Sequence, residues 1–99
     1  MVKLVWTEIS QYDLEDIFDY IAKDSKRYAS ITVNKIYQRA QEVIENPLIG
    51  RIVPEFNIHS IRELISGNYR IIYKIVSDKQ VDILRVYHSA RLLKKNRLT

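Results

Sequence analysis

The sequence predicts an α+β domain ordered β-α-α-β-β-β, a helical hairpin packed on one face of a small antiparallel sheet. Three observations predict it. Two consecutive stretches carry apolar residues at helical spacing. Three later stretches are apolar runs of strand length, and turn-forming residues separate those runs.

Each element follows from its residues. In VKLVW, Val2, Leu4 and Trp6 alternate with Lys3 and Val5, a strand pattern that places Trp6 in the core. Thr7 or Ser10 can cap the helix that follows, with Glu8 and Asp13 near its positive end. Leu14, Ile17, Phe18 and Ile21 form its apolar stripe on an otherwise acidic surface. DSKR interrupts the pattern, and a longer helix starts at about Ser25 with a stripe of Ala29, Val33, Ile36, Ala40, Val43 and Ile44. Asn46-Pro47 and Gly50 end it. GRIVPEFN reads as a polar connection with room for a short edge strand. IHSIRELIS, NYRIIYKIV and VDILRVYH read as three strands, separated by Gly67-Asn68 and by Ser77-Asp78-Lys79-Gln80, so they pair as a meander.

Composition bounds the function. A chain of 99 residues holds one core, so residues 1–99 form a single domain with a basic tail from about residue 89. The absence of cysteine excludes disulfides and thiolate chemistry and suits the cytoplasm. The MVKLVW start is no signal peptide, and no apolar run approaches the roughly 20 residues that span a bilayer, so no membrane partner is expected. A net charge of +4 favours an acidic or polyanionic partner. Neither metal nor other cofactor is expected. The His, Asp and Glu residues lack ligand spacing, and glycine is too scarce for a phosphate-cradling loop.

GNYRIIYKI, residues 67–75, carries Arg70 and Lys74 inside an apolar run. A two- or four-residue turn between the last two strands places Val76 opposite Val81, Ile72 opposite Arg85 and Arg70 opposite Tyr87. Alternation then gives one face Ile71, Tyr73, Ile75, Leu84 and Val86, suited to the helices. The other face receives Arg70, Ile72, Lys74, Ile83, Arg85 and Tyr87. An unpaired guanidinium is too costly in a dry core, so this second face should be open. Each cation alone is an ordinary solvated position. Three of them with a tyrosine, and His88 at the edge, make a face fit for binding.

With these residues in view, the chain resembles the RelE/ParE superfamily of bacterial and archaeal type II toxin–antitoxin toxins. The likeness runs through LVWTEISQYDLEDIFDYIAKDS, NPLIGRIVPEF, IRELISGNYRIIYKI and VDILRVYHSAR, and so covers nearly the whole chain. It implies a growth-arresting toxin neutralised by a cognate acidic antitoxin, which would cover Ile72, Ile83 and the cations around them. It also implies one of two targets. RelE-like members cut mRNA in the ribosomal A site, and ParE-like members poison DNA gyrase. A non-toxic member that only binds is a third possibility.

The RelE-like branch with a Glu–Arg–His set supplies a template for ribosome-dependent, metal-independent endoribonuclease action. Cleavage at a 2′-hydroxyl needs a base, an acid and cations on the phosphorane. Glu55 in VPEF matches the base, Arg70 in NYRIIY the phosphate-stabilising arginine, and His88 in RVYHSAR the acid. Arg62 is a weaker match, since a two-residue turn at Gly67-Asn68 sets it opposite Tyr73, on the helix side. Arg51, Lys74, Arg85, Tyr87, Arg91, Lys94 and Lys95 are candidates for gripping nucleic acid or a partner. Ser89 follows the histidine where that branch has a tyrosine. DLEDIFDYIA and the VYHSAR ending are similar to ParE-like toxins.

Overall fold

The computed structural model describes residues 2–89 of the chain. β1 (Lys3–Trp6) leads into α1 (Glu8–Ala22), where the Thr7 side chain caps the helix by accepting from the Ser10 amide. α2 (Lys26–Glu45) starts on the Ser25 cap, which accepts from the Tyr28 amide. Then follow β2 (Arg51–Ile52), β3 (Ile61–Ser66), β4 (Tyr69–Ser77) and β5 (Gln80–His88). The element order is the expected one, with β2 the short strand inside GRIVPEFN. Leu14, Ala29, Ile36, Ala40 and Val43 are the buried apolar residues of the two helical stripes.

The sheet order is β1-β5-β4-β3-β2. β2 through β5 pair as the antiparallel meander, but β1 pairs parallel to β5, with Leu4 opposite Val81 and Trp6 opposite Ile83. The sheet is therefore mixed rather than antiparallel throughout. The helical hairpin is long enough to carry the chain back to the starting end of the sheet, which is the requirement for a parallel neighbour.

The register between β4 and β5 is as expected at both ends. Arg70 faces Tyr87 and Ile72 faces Arg85, while Ser77 faces Gln80. Two irregularities lie between them: Tyr73 faces Ile83, Ile75 faces Val81, and Leu84 and Val76 are each left as the extra residue. One extra residue exchanges the faces of its neighbours. Ile83 accordingly lies in the helix-side core with Leu14, Ile36, Leu64, Ile71, Tyr73 and Val86. Leu84 packs on the opposite side, reversing the two expected placements.

That opposite face is not open. Val53 and Phe56, in the turn after β2, close over Ile72 and Tyr87, with Ile61 and Leu84 at the margins. The turn is held by the Phe56 and Asn57 amides, which both donate to the Val53 carbonyl. GRIVPEFN is thus not merely a polar connection. Ile72, Leu84 and Tyr87 would otherwise leave a continuous apolar patch in water, and the chain covers it with its own two apolar residues.

Candidate active site

Arg70 lies at the centre of a run of alternating charges on the face away from the helices. β3 and β4 join at the two-residue turn Gly67-Asn68, with Gly67 at φ 57°, so Ile65 stands opposite Arg70. Glu63, two residues earlier on β3, shares that face. β2 sets Arg51 opposite Glu63. Glu63 is 1% exposed and accepts from the Nε of Arg51 and, at 2.6 Å, from the Nε of Arg70. The terminal nitrogens of Arg70 then donate to both oxygens of Glu55, at 2.8 and 2.9 Å. Among the described residues, the network sets two guanidiniums against two carboxylates. Arg70 is only 5% exposed, and its guanidinium is held above its ordinary range chiefly by the Glu55 bonds, with burial opposing and Glu63 adding to the rise.

Beside this network a groove of about 530 Å³ is lined by Arg51, Pro54, Glu55, Ile65, Arg70 and Ser89. Arg51 is exposed at its rim. Of the expected set, Glu55 and Arg70 are brought together here. His88 is not with them. Facing Tyr69 across the strand pair, it turns to the α1 side, its ring edge-on to Tyr69 at 5.8 Å. There it lines a separate cleft with Asp13, Asp16, Ile17 and Tyr20.

Arg62 stands opposite Tyr73 as expected, away from Arg70. Its guanidinium donates to the carbonyls of Gly50 and His59, at 2.9 and 3.0 Å, and so ties the start of β2 to β3. Tyr73 completes that joint, donating to the Pro47 carbonyl and accepting from the Gly50 amide.

Several other expected contacts are corrected by burial. Ile72 and Ile83 are 0% exposed, one under Phe56 and one under the helices, so neither can present a surface to an antitoxin. Tyr87 is buried too, beneath the same turn and under the Arg85 guanidinium, 4.6 Å from its ring centre. Arg85 shares the Arg70 side of the sheet but reaches past the β5 edge to α1. Asp13 accepts from it at 2.8 and 3.0 Å, and from the Val86 amide at 2.9 Å. That ion pair, against the opposing effect of burial, holds the Arg85 guanidinium above its ordinary value. Lys74 is exposed. Arg91, Lys94 and Lys95 lie outside the described residues.

Sequence reasoning missed Glu63 and Asp13. Glu63 could have been found, since the two-residue turn already put it on Arg70's face, diagonal to it. Asp13 could not, because nothing in the helical pattern reports that α1 crosses the end of β5.

The comparisons agree with this architecture. Residues 4–93 match the family model described as the ParE toxin of type II toxin–antitoxin system, parDE. The chain is 33% identical over 92 residues to Toxin RelE2 of Caulobacter vibrioides, covering 93% of this chain and all of that one. Among solved structures it is similar to the chromosomal ParDE toxin–antitoxin system of P. aeruginosa, with TM-score 0.73 and 22% identity over 89% of this chain and 96% of that one. It is also similar to the RelBE2 complex of Mycobacterium tuberculosis, with TM-score 0.64 and 22% identity over 88% of this chain and 96% of that one. With nine-tenths of its residues inside the family model, and a relative matched end to end, the chain belongs to the ParE toxin family of type II toxin–antitoxin systems, within the RelE/ParE superfamily.

Proposed function

We propose that this toxin arrests growth by cutting mRNA on the ribosome, at the groove beside Arg70, and that a cognate antitoxin neutralises it. The observation that carries this reading is the bidentate Glu55–Arg70 pair at the groove wall. A guanidinium fork that fits a carboxylate also fits a phosphodiester. An incoming phosphate takes the place of Glu55 on Arg70. The displaced carboxylate takes the 2′-hydroxyl proton as the 2′-oxygen bonds to phosphorus and the P–O5′ bond breaks, water returning a proton to the leaving 5′-oxygen. Arg51, Arg70 and Glu63 then sum to one positive charge, which matches one phosphodiester. His88 belongs to the other side of the sheet and has no part in this step. The full-length relative carrying the RelE2 name adds support for a RelE-like action.

Cell-free translation with added toxin tests the reading. Breaks within codons of ribosome-bound message are expected, and Glu55→Gln should abolish them while the protein stays folded. Intact message at excess toxin would overturn it.

A second reading, inhibition of DNA gyrase by binding, is favoured by the separation of His88 from Arg70 and by the ParE family match. It predicts lost supercoiling by purified gyrase while translation continues. Normal supercoiling at excess toxin would remove it.

A further inference from the structure

Glu63 is the most deeply buried carboxylate among the described residues, and the proposed cleavage step gives it no chemical role. Its side chain is 0% exposed, yet it grips two guanidiniums, each by the same kind of atom. One oxygen takes the Nε of Arg51 and the other the Nε of Arg70. Holding Arg70 by Nε leaves its opposite edge, the two terminal nitrogens, aimed at Glu55 and the groove. A guanidinium is planar and rigid, so fixing one edge fixes the direction of the other. Without Glu63, the Nε edge of Arg70 loses this anchor, and the side chain is freer to follow Glu55 as that residue moves.

We propose that Glu63 is a positioning residue. It keeps the Arg70 fork facing the groove when Glu55 gives way to the substrate phosphate, and it holds Arg51 at the rim as a second cation. This rests on the reading of the groove just given. Since Glu63 is negative and close to both cations, it also weakens the groove's attraction for polyanions. It therefore trades ground-state affinity for orientation of the charge that stabilises the transition state.

The two effects have opposite signs in Glu63→Gln. The amide presents an oxygen to one arginine and its own N–H donors to the other, so only one can be held. The maximal rate of message breakage at saturating toxin should fall about tenfold or more, while the half-saturating concentration holds or decreases. A merely structural role would lower active protein and leave both constants of the folded fraction unchanged. A maximal rate within twofold of wild type would overturn the proposal.

A second measurement does not depend on the nuclease reading. In a nitrogen-15 spectrum of the arginine side chains, the Arg70 Nε–H signal, assigned by its loss in Arg70→Lys, should exchange slowly in the wild type. It should survive Glu55→Gln and vanish into solvent exchange in Glu63→Met, whose side chain offers no oxygen to Arg70, with the Arg85 signal as internal reference. If the wild type cuts no message, the nuclease reading fails, and this spectrum alone decides whether Glu63 positions Arg70. Should a Glu63 variant not fold, the charge-balanced pair Arg51→Met with Glu63→Met, which offers Arg70 no acceptor, replaces it in both measurements. Lost Arg70 protection and a slow maximal rate are expected there, whereas wild-type protection or rate would show that Glu63 merely balances charge.

Discussion

Arg70→Ala strips Glu63 of its buried partner and leaves it with Arg51, which is largely in water. Breaking a buried pair from one side costs about 3–5 kcal/mol, a large share of the stability of a small domain. Chemical denaturation should show that loss for Arg70→Ala and a much smaller one for Glu55→Gln, whose side chain lies nearer the surface. Lost toxicity in the alanine variant would therefore report folding as much as chemistry, and Glu55→Gln is the cleaner test of the site. Tyr73 makes a separate prediction. Burial raises its phenol above the ordinary 10.0, the Gly50 amide pulling the other way. The stability owed to its neutral form is intact below pH 10 and is lost as pH rises through the raised value. Unfolding monitored up the alkaline range should show stability declining there, less steeply in Tyr73→Phe. Tyr69, raised mainly by burial, accounts for part of the slope that persists.

At the level of elements, short polar side chains fix where the helices and the site strands meet. Thr7 caps α1, and its hydroxyl also donates to the Ile83 carbonyl at 2.8 Å, joining helix, β1 and β5. Thr7→Ala should lower stability by about 1–2 kcal/mol, the upper end of the range for a lost cap, readable as a lower denaturation midpoint at unchanged slope. Gly50 shows the same economy of space. A Cβ there would sit 2.5 Å from the Glu63 carbonyl oxygen and 2.7 Å from the Tyr73 hydroxyl. Gly50→Ala must push β2 outward, with a cost of about 1–3 kcal/mol and a displaced Arg51. Such joints explain which parts of the structure were legible in the residues. The caps, both apolar stripes, the meander and the Arg70–Tyr87 pairing follow from local periodicity and turn chemistry. The extra residues Leu84 and Val76 do not, because each belongs to an apolar pair, Ile83-Leu84 or Ile75-Val76, either member of which suits the core. Covering of the second face by Val53 and Phe56 was equally silent, since two apolar residues in a polar stretch have no period. The site was half legible for this reason. Arg70 and Glu55 were identified, but the carboxylates that neutralise the expected cationic face are matters of three-dimensional pairing.

Taken whole, the molecule places its last described strand between its first strand and the rest of the sheet. Hydrogen bonds such as that from the Lys3 amide to the Lys79 carbonyl join the start of β1 to the turn that leads into β5. A chain stopped after Lys79 would lose β5, which among the described residues is the strand paired to β1 and the one on which α1 packs. It should show no cooperative unfolding and little native circular dichroism, whereas a chain stopped after Ser89 should retain both if the tail serves only in binding. Contacts of such long sequence separation also slow folding, because loop closure precedes any gain from them. A growing polypeptide of this toxin consequently has no finished groove until β5 has been synthesised and released. Translation that stops short of β5 therefore yields no assembled toxin for an antitoxin to meet.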